Sequence, residues 1–274
     1  MSIEPVAQTP APAPEDDIDD KPMPLLDHLI ELRTRLIWAM VAFLICFAGC
    51  YYFSKDIYTF LARPLADILH EKTGQERRMI FTHLTEAFFT YLKVAMFGAG
   101  FISFPIIATQ LWLFVAPGLY RSEKKALLPF LAATPILFFA GGALAYYVIF
   151  PMAWRFFLSF EIPAGEGAMP IQLEAKVSEY LSLVMKLIFA FGIAFEMPVA
   201  LTLMAKVGII DSHGLKKYRR YSYVAMFVVA AVLTPPDVIS QLGLAIPLIG
   251  LYEISILMAQ WVEPKREPED SDDA

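Results

Sequence analysis

The chain has 274 residues, 57% of them hydrophobic, and its mean hydropathy is +0.54. Its apolar residues form blocks too long for soluble core helices and lack the ten-residue alternation of a transmembrane barrel, so both classes are excluded. The net charge of −6 says little about partners, because half of the 28 acidic residues lie in two terminal segments, eight within residues 1–31 and six within 263–273.

We predict an all-α polytopic membrane protein with six transmembrane helices, of which the fifth and sixth are short. One membrane domain is expected over residues 25–262. Residues 1–24, rich in Pro, Ala and Asp, predict a disordered acidic tail without the basic start of a secretory signal, and residues 263–274 predict a second acidic tail. The apolar blocks are Leu36–Phe53, Ala87–Phe114, Ala126–Phe150, Tyr180–Val207, Tyr221–Thr234 and Val238–Trp261.

The first span begins with the segment HLIELRTRLIWAM, in which Glu31, Arg33 and Arg35 alternate with apolar residues. Interfacial basic anchors account for the arginines. An acid at the cytosolic interface would face anionic lipid, so Glu31 is a candidate binding residue. Glu123 is a second candidate, since it lies alone in the basic loop between the second and third spans.

Cys46 and Cys50, the only cysteines, lie four residues apart in the first span. Two thiols without a nearby histidine do not form a metal site, so we expect core packing. The four histidines are scattered, and the chain has no nucleotide-binding motif. We therefore expect no enzyme activity, no cofactor, no metal and no nucleic-acid partner.

The first outer loop contains the segment KDIYTFLARPLADILHE. Its apolar residues recur at helical spacing and predict one face of an interfacial amphipathic helix. Pro64, within this segment, is interpreted as structural. The predicted face consists of Ile57, Phe60, Leu61, Leu65, Ile68 and Leu69.

Glu196 lies near the middle of an apolar run of 29 residues, Tyr180–Gly208. As a helix the run would be roughly 43 Å long, more than the hydrocarbon core of a bilayer. A carboxylate at that depth costs at least about 2.5 kcal/mol, so it needs a partner, a proton, water or a function. Gly192 would allow another backbone to approach, and Pro198 should kink the helix beside the acid. Either a hydrogen-bonded carboxyl group or a functional polar notch fits this pattern.

The fifth and sixth blocks are joined by Thr234-Pro235-Pro236-Asp237, where the two prolines force a tight turn. The fifth block has only 14 residues, and Glu253 limits the sixth to a similar length. Membrane-spanning helices this short require a locally thinned bilayer, a partner protein, or shielding inside the bundle. Asp237 is interpreted as the N-cap of the sixth helix, and Gln241 as an interhelical hydrogen-bonding residue.

Charge in the short loops predicts the orientation. Loops 115–125 and 208–220 are densely basic, whereas 234–237 contains no basic residue. Both termini are therefore expected in the cytosol.

Four stretches carry a resemblance to a known family: HLIELRTRL, FPIIATQLWLFVAPGLYRSEKK, FAFGIAFEMPVAL and LTPPDVISQLGLAIPL. Together they resemble the TatC family, the large polytopic subunit of the twin-arginine protein translocase. The resemblance covers about residues 25–262. It implies a receptor in the bacterial cytoplasmic membrane that binds folded precursors through a signal peptide with consecutive arginines.

The resemblance also implies the site residues. The recognition surface of the family corresponds here to Glu31, Arg33, Phe114, Tyr120, Arg121 and Glu123. The fifth and sixth helices, with Gln241, correspond to the region that docks the single-span partners TatB and TatA. Glu196 corresponds to the acid on the concave membrane face, and self-association in a larger complex is expected.

Two other classes of function compete with this hypothesis. A proton-coupled secondary transporter could use Glu196 as its carrier, although the sequence has no inverted repeat and no second intramembrane acid. A passive membrane scaffold is the other alternative, and it would not distinguish an arginine pair from a lysine pair.

Overall fold

The computed structural model describes residues 25–73, 78–115, 128–162, 169, 171–206, 208–234 and 237–262. Over these residues the chain is helical, with two isolated β-bridges and no extended strand. The elements in order are α1 (Leu25–Tyr52), α2 (Ser54–Thr73), α3 (Glu86–Val115), α4 (Leu128–Leu144), a π-helical turn (Ala145–Ile149), α5 (Phe150–Phe157), a 3₁₀ turn (Leu158–Phe160), α6 (Val177–Phe195), α7 (Met197–Lys206), α8 (Ser212–Leu233) and α9 (Val238–Val262).

Five helical segments of the described chain are long and apolar enough to cross a membrane: His28–Tyr52, Glu86–Phe114, Pro129–Phe160, Val177–Lys206 and Val238–Val262. The all-α membrane fold is therefore confirmed. Helix α8 is not among the five because four basic residues lie in its first half, so the sixth span remains a prediction. Helix α9 has 25 residues and is longer than the sequence predicts.

The helices give the bundle two ends. We call the end that contains His28, Phe114 and Leu215 the inner end, because the charge pattern predicts that it faces the cytosol. The ring of His28 stacks on Phe114, and the Tyr252 hydroxyl donates a hydrogen bond to the Leu215 carbonyl there. The opposite end, which contains α2, is called the outer end.

Helix α2 buries its apolar face against the bundle rather than lying on a lipid surface alone. Leu61, Leu65, Ile68 and Leu69 of the predicted amphipathic face are buried, whereas Phe60 is half exposed. Pro64 lacks an N–H, which leaves the carbonyl of Phe60 without its helical donor. The Tyr146 hydroxyl supplies the missing donor.

Two tyrosine hydroxyls hold the backbone of α2 at this proline. Tyr146 donates to the Phe60 carbonyl at 2.7 Å, and Tyr180 donates to the Leu61 carbonyl at 2.9 Å. The Phe60 and Tyr146 rings also stack, with centroids 4.4 Å apart. The helix thus docks through two neighbouring backbone carbonyls, one of which, that of Phe60, lacks a helical donor because of Pro64.

The outer loops are tied together by Glu86, the first residue of α3. Its carboxylate accepts hydrogen bonds from the backbone N–H groups of Thr82 at 2.8 Å, His83 at 3.3 Å and Ser178 at 3.3 Å. A bridge between Ile80 and Lys176 joins the same two segments. The third apolar block, predicted to end at Phe150, continues in helical form to Phe160.

Helices α4 and α6 pack closely through glycine. A Cβ added at Gly141 would lie 2.5 Å from the Phe191 carbonyl oxygen. At Gly192 the neighbour is the ring of Phe138, not a backbone, so the expectation of a backbone approach there was wrong. The close backbone contact occurs at Gly141 instead. In α1, the buried Cys50 thiol packs over Gly98, and both cysteines are free.

We predict that Gly141→Ala lowers the melting temperature of the purified protein by several degrees, because overpacking against a helix backbone costs about 1–3 kcal/mol. The matched control is Gly250→Ala in α9, where a Cβ meets no atom within 4 Å. That variant should keep or raise the melting temperature, since alanine favours the helix. Equal effects of the two substitutions on thermal unfolding in detergent would contradict the packing described here.

Candidate functional site

The inner end of α1 presents the carboxylate of Glu31. One of its oxygens, Oε1, accepts a hydrogen bond from Arg35 Nη2 at 3.1 Å, and the glutamate side chain is 22% exposed. Arg35 Nη1 also lies 3.4 Å from Gln110 Oε1 on α3. Within the described residues Oε2 of Glu31 has no partner, so it is free to accept a donor from outside.

Phe114, near the end of α3, packs against the turn of α1 that precedes Glu31. Its ring stacks on His28, one helical turn before Glu31, with ring centroids 4.4 Å apart. Arg33 is exposed and forms no ion pair within the described chain. Residues two apart point to different sides of a helix, so Arg35 rather than Arg33 contacts Glu31.

His28, Arg35 and Gln110 were not predicted as neighbours of the Glu31 carboxylate. The four-residue spacing of Glu31 and Arg35 was a usable signal for that pair. Nothing in the sequence pairs α1 with Gln110. The predicted residues Tyr120, Arg121, Glu123, Pro235 and Pro236 lie outside the described residues.

An apolar groove opens in the inner half of the bundle, with a volume of about 740 Å³. Its walls come from α3, α6, α7, α8 and α9, and its few polar side chains include Glu196, Ser222 and Tyr252. A groove with this lining suits an apolar ligand, since the walls offer few hydrogen-bonding groups. The lining residues are Phe104, Ile107, Ala108, Leu111, Trp112, Ile193, Ala194, Glu196, Met197, Ala200, Leu201, Ser222, Ala225, Met226, Val229, Leu248 and Tyr252.

Glu196 lies at the break between α6 and α7. Its N–H donates to the Ile193 carbonyl at 3.0 Å, and its own carbonyl accepts from Ala200 N at 3.0 Å. Pro198 predicts such an interruption, because it cannot donate to Ala194. Both carboxyl oxygens are inaccessible to solvent and have no hydrogen-bond partner among the described residues. The helix break therefore places an unsatisfied carboxyl group in the wall of the groove.

Polar side chains attach the inner half of α8 to α9. Arg219 Nη2 pairs with Glu253 Oε2 at 2.8 Å, and the Tyr223 hydroxyl donates to the other carboxylate oxygen. Ser222 Oγ bonds to the Tyr252 hydroxyl at 3.0 Å. These contacts compensate the charge of Glu253 within the apolar segment Val238–Val262.

At the outer end, Asp237 is the N-cap residue of α9, the role that the sequence predicts. Its Oδ1 accepts from Ser240 N at 2.7 Å, while Oδ2 is buried without a partner in the described chain. Gln241 Nε2 lies 3.5 Å from the Phe227 carbonyl on α8. Gln241 thus lies at the interface of α8 and α9, one turn into α9.

No group of three or more His, Cys, Asp or Glu side chains in the part of the chain that the structure describes is arranged to hold a metal ion. The candidate site consists of a charged rim and an apolar groove, and these features suit binding.

Comparison with known proteins identifies relatives over nearly the whole chain. Residues 27–247 match the family described as Sec-independent protein translocase protein (TatC). The TatC protein of Magnetococcus marinus is 50% identical over 93% of this chain and 90% of its own length. That of Escherichia coli K12 is 40% identical over 87% and 88%. A crystal structure titled as the twin arginine translocase receptor TatC in DDM covers 85% of this chain and 99% of its own, with 38% identity and a TM-score of 0.71.

We predict that Glu253→Gln lowers the melting temperature by a few degrees, because it removes the ion pair with Arg219 and weakens the bond from Tyr223. The matched control is Glu179→Gln, which breaks an ion pair with Lys176 at the outer end. Glu179 is 73% exposed, and such pairs contribute little to stability. Thermal unfolding in detergent measures both variants, and an unchanged Glu253→Gln protein would show that the α8–α9 contact is not stabilising.

Proposed function

The chain belongs to the TatC family of Sec-independent protein translocase proteins, and from that membership we propose that it is the receptor subunit for twin-arginine signal peptides of folded precursors. It is a multi-pass membrane protein of a translocase and not an enzyme. We place it in the bacterial cytoplasmic membrane, with the inner end facing the cytosol. The observation that carries the proposal is the partly exposed Glu31 carboxylate at that end, of which one oxygen has no partner among the described residues.

Glu31 is suited to bind an incoming arginine. An i,i+4 ion pair such as Glu31–Arg35 is worth only about 0.3–0.5 kcal/mol, so it holds the carboxylate in place without saturating it. A guanidinium offers several N–H donors in a planar array and forms charge-assisted bonds that an ammonium cannot duplicate. Glu123, in the loop after α3, would bind the second arginine.

The proposed recognition surface is completed by Arg33, Phe114, Tyr120 and Arg121.

Helix α3 then connects this surface to the groove. Gln110 contacts the partner of Glu31, and the next residue, Leu111, lines the groove. We propose that the apolar stretch of the signal peptide enters the groove behind its arginines. Burial of apolar side chains there would contribute roughly 25 cal/mol per Å² removed from solvent.

The α8–α9 hairpin is the proposed docking region for TatB-like and TatA-like single-span proteins. The exposed side chains of Val224, Val228 and Val232 recur every four residues and form an apolar stripe along α8. Gln241 lies at the interface of the two helices and could offer its amide to a partner. Further copies of the chain would join the same complex.

We predict that Glu31→Gln weakens binding of a twin-arginine signal peptide about tenfold to a hundredfold, since hydrogen bonds to charged groups are worth about 1.5–3 kcal/mol. Fluorescence anisotropy with a labelled peptide and the purified protein measures the change. Glu179→Gln should bind as the wild type does, because that carboxylate lies at the outer end.

A peptide with two lysines in place of the arginines is the second control for Glu31. It should bind the wild type weakly and should be insensitive to Glu31→Gln. Equal affinity for the arginine and lysine peptides would support a passive scaffold and would contradict the proposal.

Two adjacent isoleucines of α3 offer a matched test of the groove. Ile107 lines it, whereas Ile106 is exposed outside it. A photoreactive amino acid at position 107 should crosslink the apolar stretch of a bound signal peptide, because that side chain faces the groove. The same group at position 106 should react mainly with lipid. Similar peptide crosslinks from both positions would place the peptide outside the groove.

A further inference from the structure

We propose that Thr134 and Trp112 position the carboxyl group of Glu196, with the Thr134 hydroxyl as its hydrogen-bond donor and the Trp112 indole as the group that orients this hydroxyl. The inference rests on the proposed function of the groove. It assigns two positioning residues, on α3 and α4, to an acid that lies at the junction of α6 and α7.

The first link is the contact between the indole and the hydroxyl. Trp112 Nε1 donates a hydrogen bond to Thr134 Oγ1 at 3.1 Å. An indole N–H can only donate, so the threonine oxygen acts as the acceptor and its hydrogen remains available. Thr134 is 1% exposed, which leaves that hydrogen no access to bulk water.

The second link is the behaviour of other helical hydroxyls in this protein. Ser103, Thr109 and Thr234 donate to the carbonyl four residues earlier, at 2.6, 2.7 and 2.8 Å. This is the usual way for such residues to satisfy their hydrogen inside a membrane helix. Thr134 forms no such bond to the Phe130 carbonyl in the described structure. Its hydrogen is therefore free for another acceptor.

The third link is the acceptor. Helix α4 packs against α7 at the junction where Glu196 lies, and the Thr134 hydroxyl is the polar group next to the Glu196 carboxyl group. Its two oxygens are buried and fall outside hydrogen-bond geometry with every described residue. An unpaired buried carboxyl group is costly, so the donor and the acceptor should meet.

This arrangement connects a peptide or helix bound in the groove to the Glu196 carboxyl group. Trp112 and Glu196 both line the groove, and Thr134 lies between them. A peptide or helix that contacts the indole therefore also contacts the group that orients the Thr134 donor. The carboxyl group is held in the groove wall by two neighbouring helices.

The test is infrared spectroscopy of the full-length protein in detergent. The band of Glu196 is identified as the carboxyl band that is lost in Glu196→Gln. In Thr134→Val, which keeps the side-chain shape but has no donor, this band should move to a higher wavenumber if the group is protonated, or change its carboxylate splitting if it is ionised. Thr134→Ser should restore the wild-type band, and Thr109→Val, which alters a hydroxyl bonded within its own helix, should leave it unmoved.

Trp112→Phe provides a second variant, in which the donor remains but the indole N–H is missing. The band should broaden, because the hydroxyl is no longer oriented. Thermal unfolding of every variant identifies any that fail to fold. An unshifted Glu196 band in both folded Thr134→Val and folded Trp112→Phe would overturn the inference.

The infrared measurement needs no signal peptide, so it separates the two proposals. If the wild type fails to bind the peptide while the band still responds to Thr134→Val, the proposed function fails and the positioning of Glu196 stands. If peptide crosslinking from position 107 is normal and the band does not respond, only the positioning fails.

Discussion

Every polar group within the hydrocarbon region needs a partner inside the protein, and the architecture of this chain follows from that constraint. Pro64 leaves a carbonyl of α2 without its helical donor, and Tyr146 supplies one. Glu253 places a charge within the apolar segment of the last helix, and Arg219 and Tyr223 compensate it. In both cases a polar group that would be unpaired in an isolated helix forms the contact that joins two helices.

Glu196 departs from this pattern. Its oxygens are buried, and within the described residues they lack geometric partners, in a groove whose other walls are largely apolar. Proteins keep such unsatisfied groups where a function requires them, since their cost must be offset elsewhere. The helices around the acid are closely packed, with Phe138 over Gly192 and the Gly141 contact between α4 and α6. The surrounding helices are thereby fixed, while the groove stays open.

Helix α3 connects the elements that matter for binding. Its last three turns contribute Gln110 and Phe114 to the charged rim and Ile107 and Leu111 to the groove. Trp112 on the same helix reaches Thr134. A ligand that runs along α3 would therefore meet the charged rim first and the buried acid later, which suits a peptide whose arginines precede an apolar stretch.

Four features were predictable from the sequence, because each depends on residues close together in the chain. They are the apolar blocks, the amphipathic face of α2, the helix break at Glu196 and the N-cap at Asp237. Hydrophobic periodicity, proline geometry and capping are local properties. Three side-chain contacts join residues that are far apart in the sequence: Arg35 with Gln110, Glu253 with Arg219, and Trp112 with Thr134. The partners are 75, 34 and 22 positions apart, respectively. Only the packing of the helices decided these pairs, because the rotation and crossing of each helix depend on side-chain shape across several neighbours.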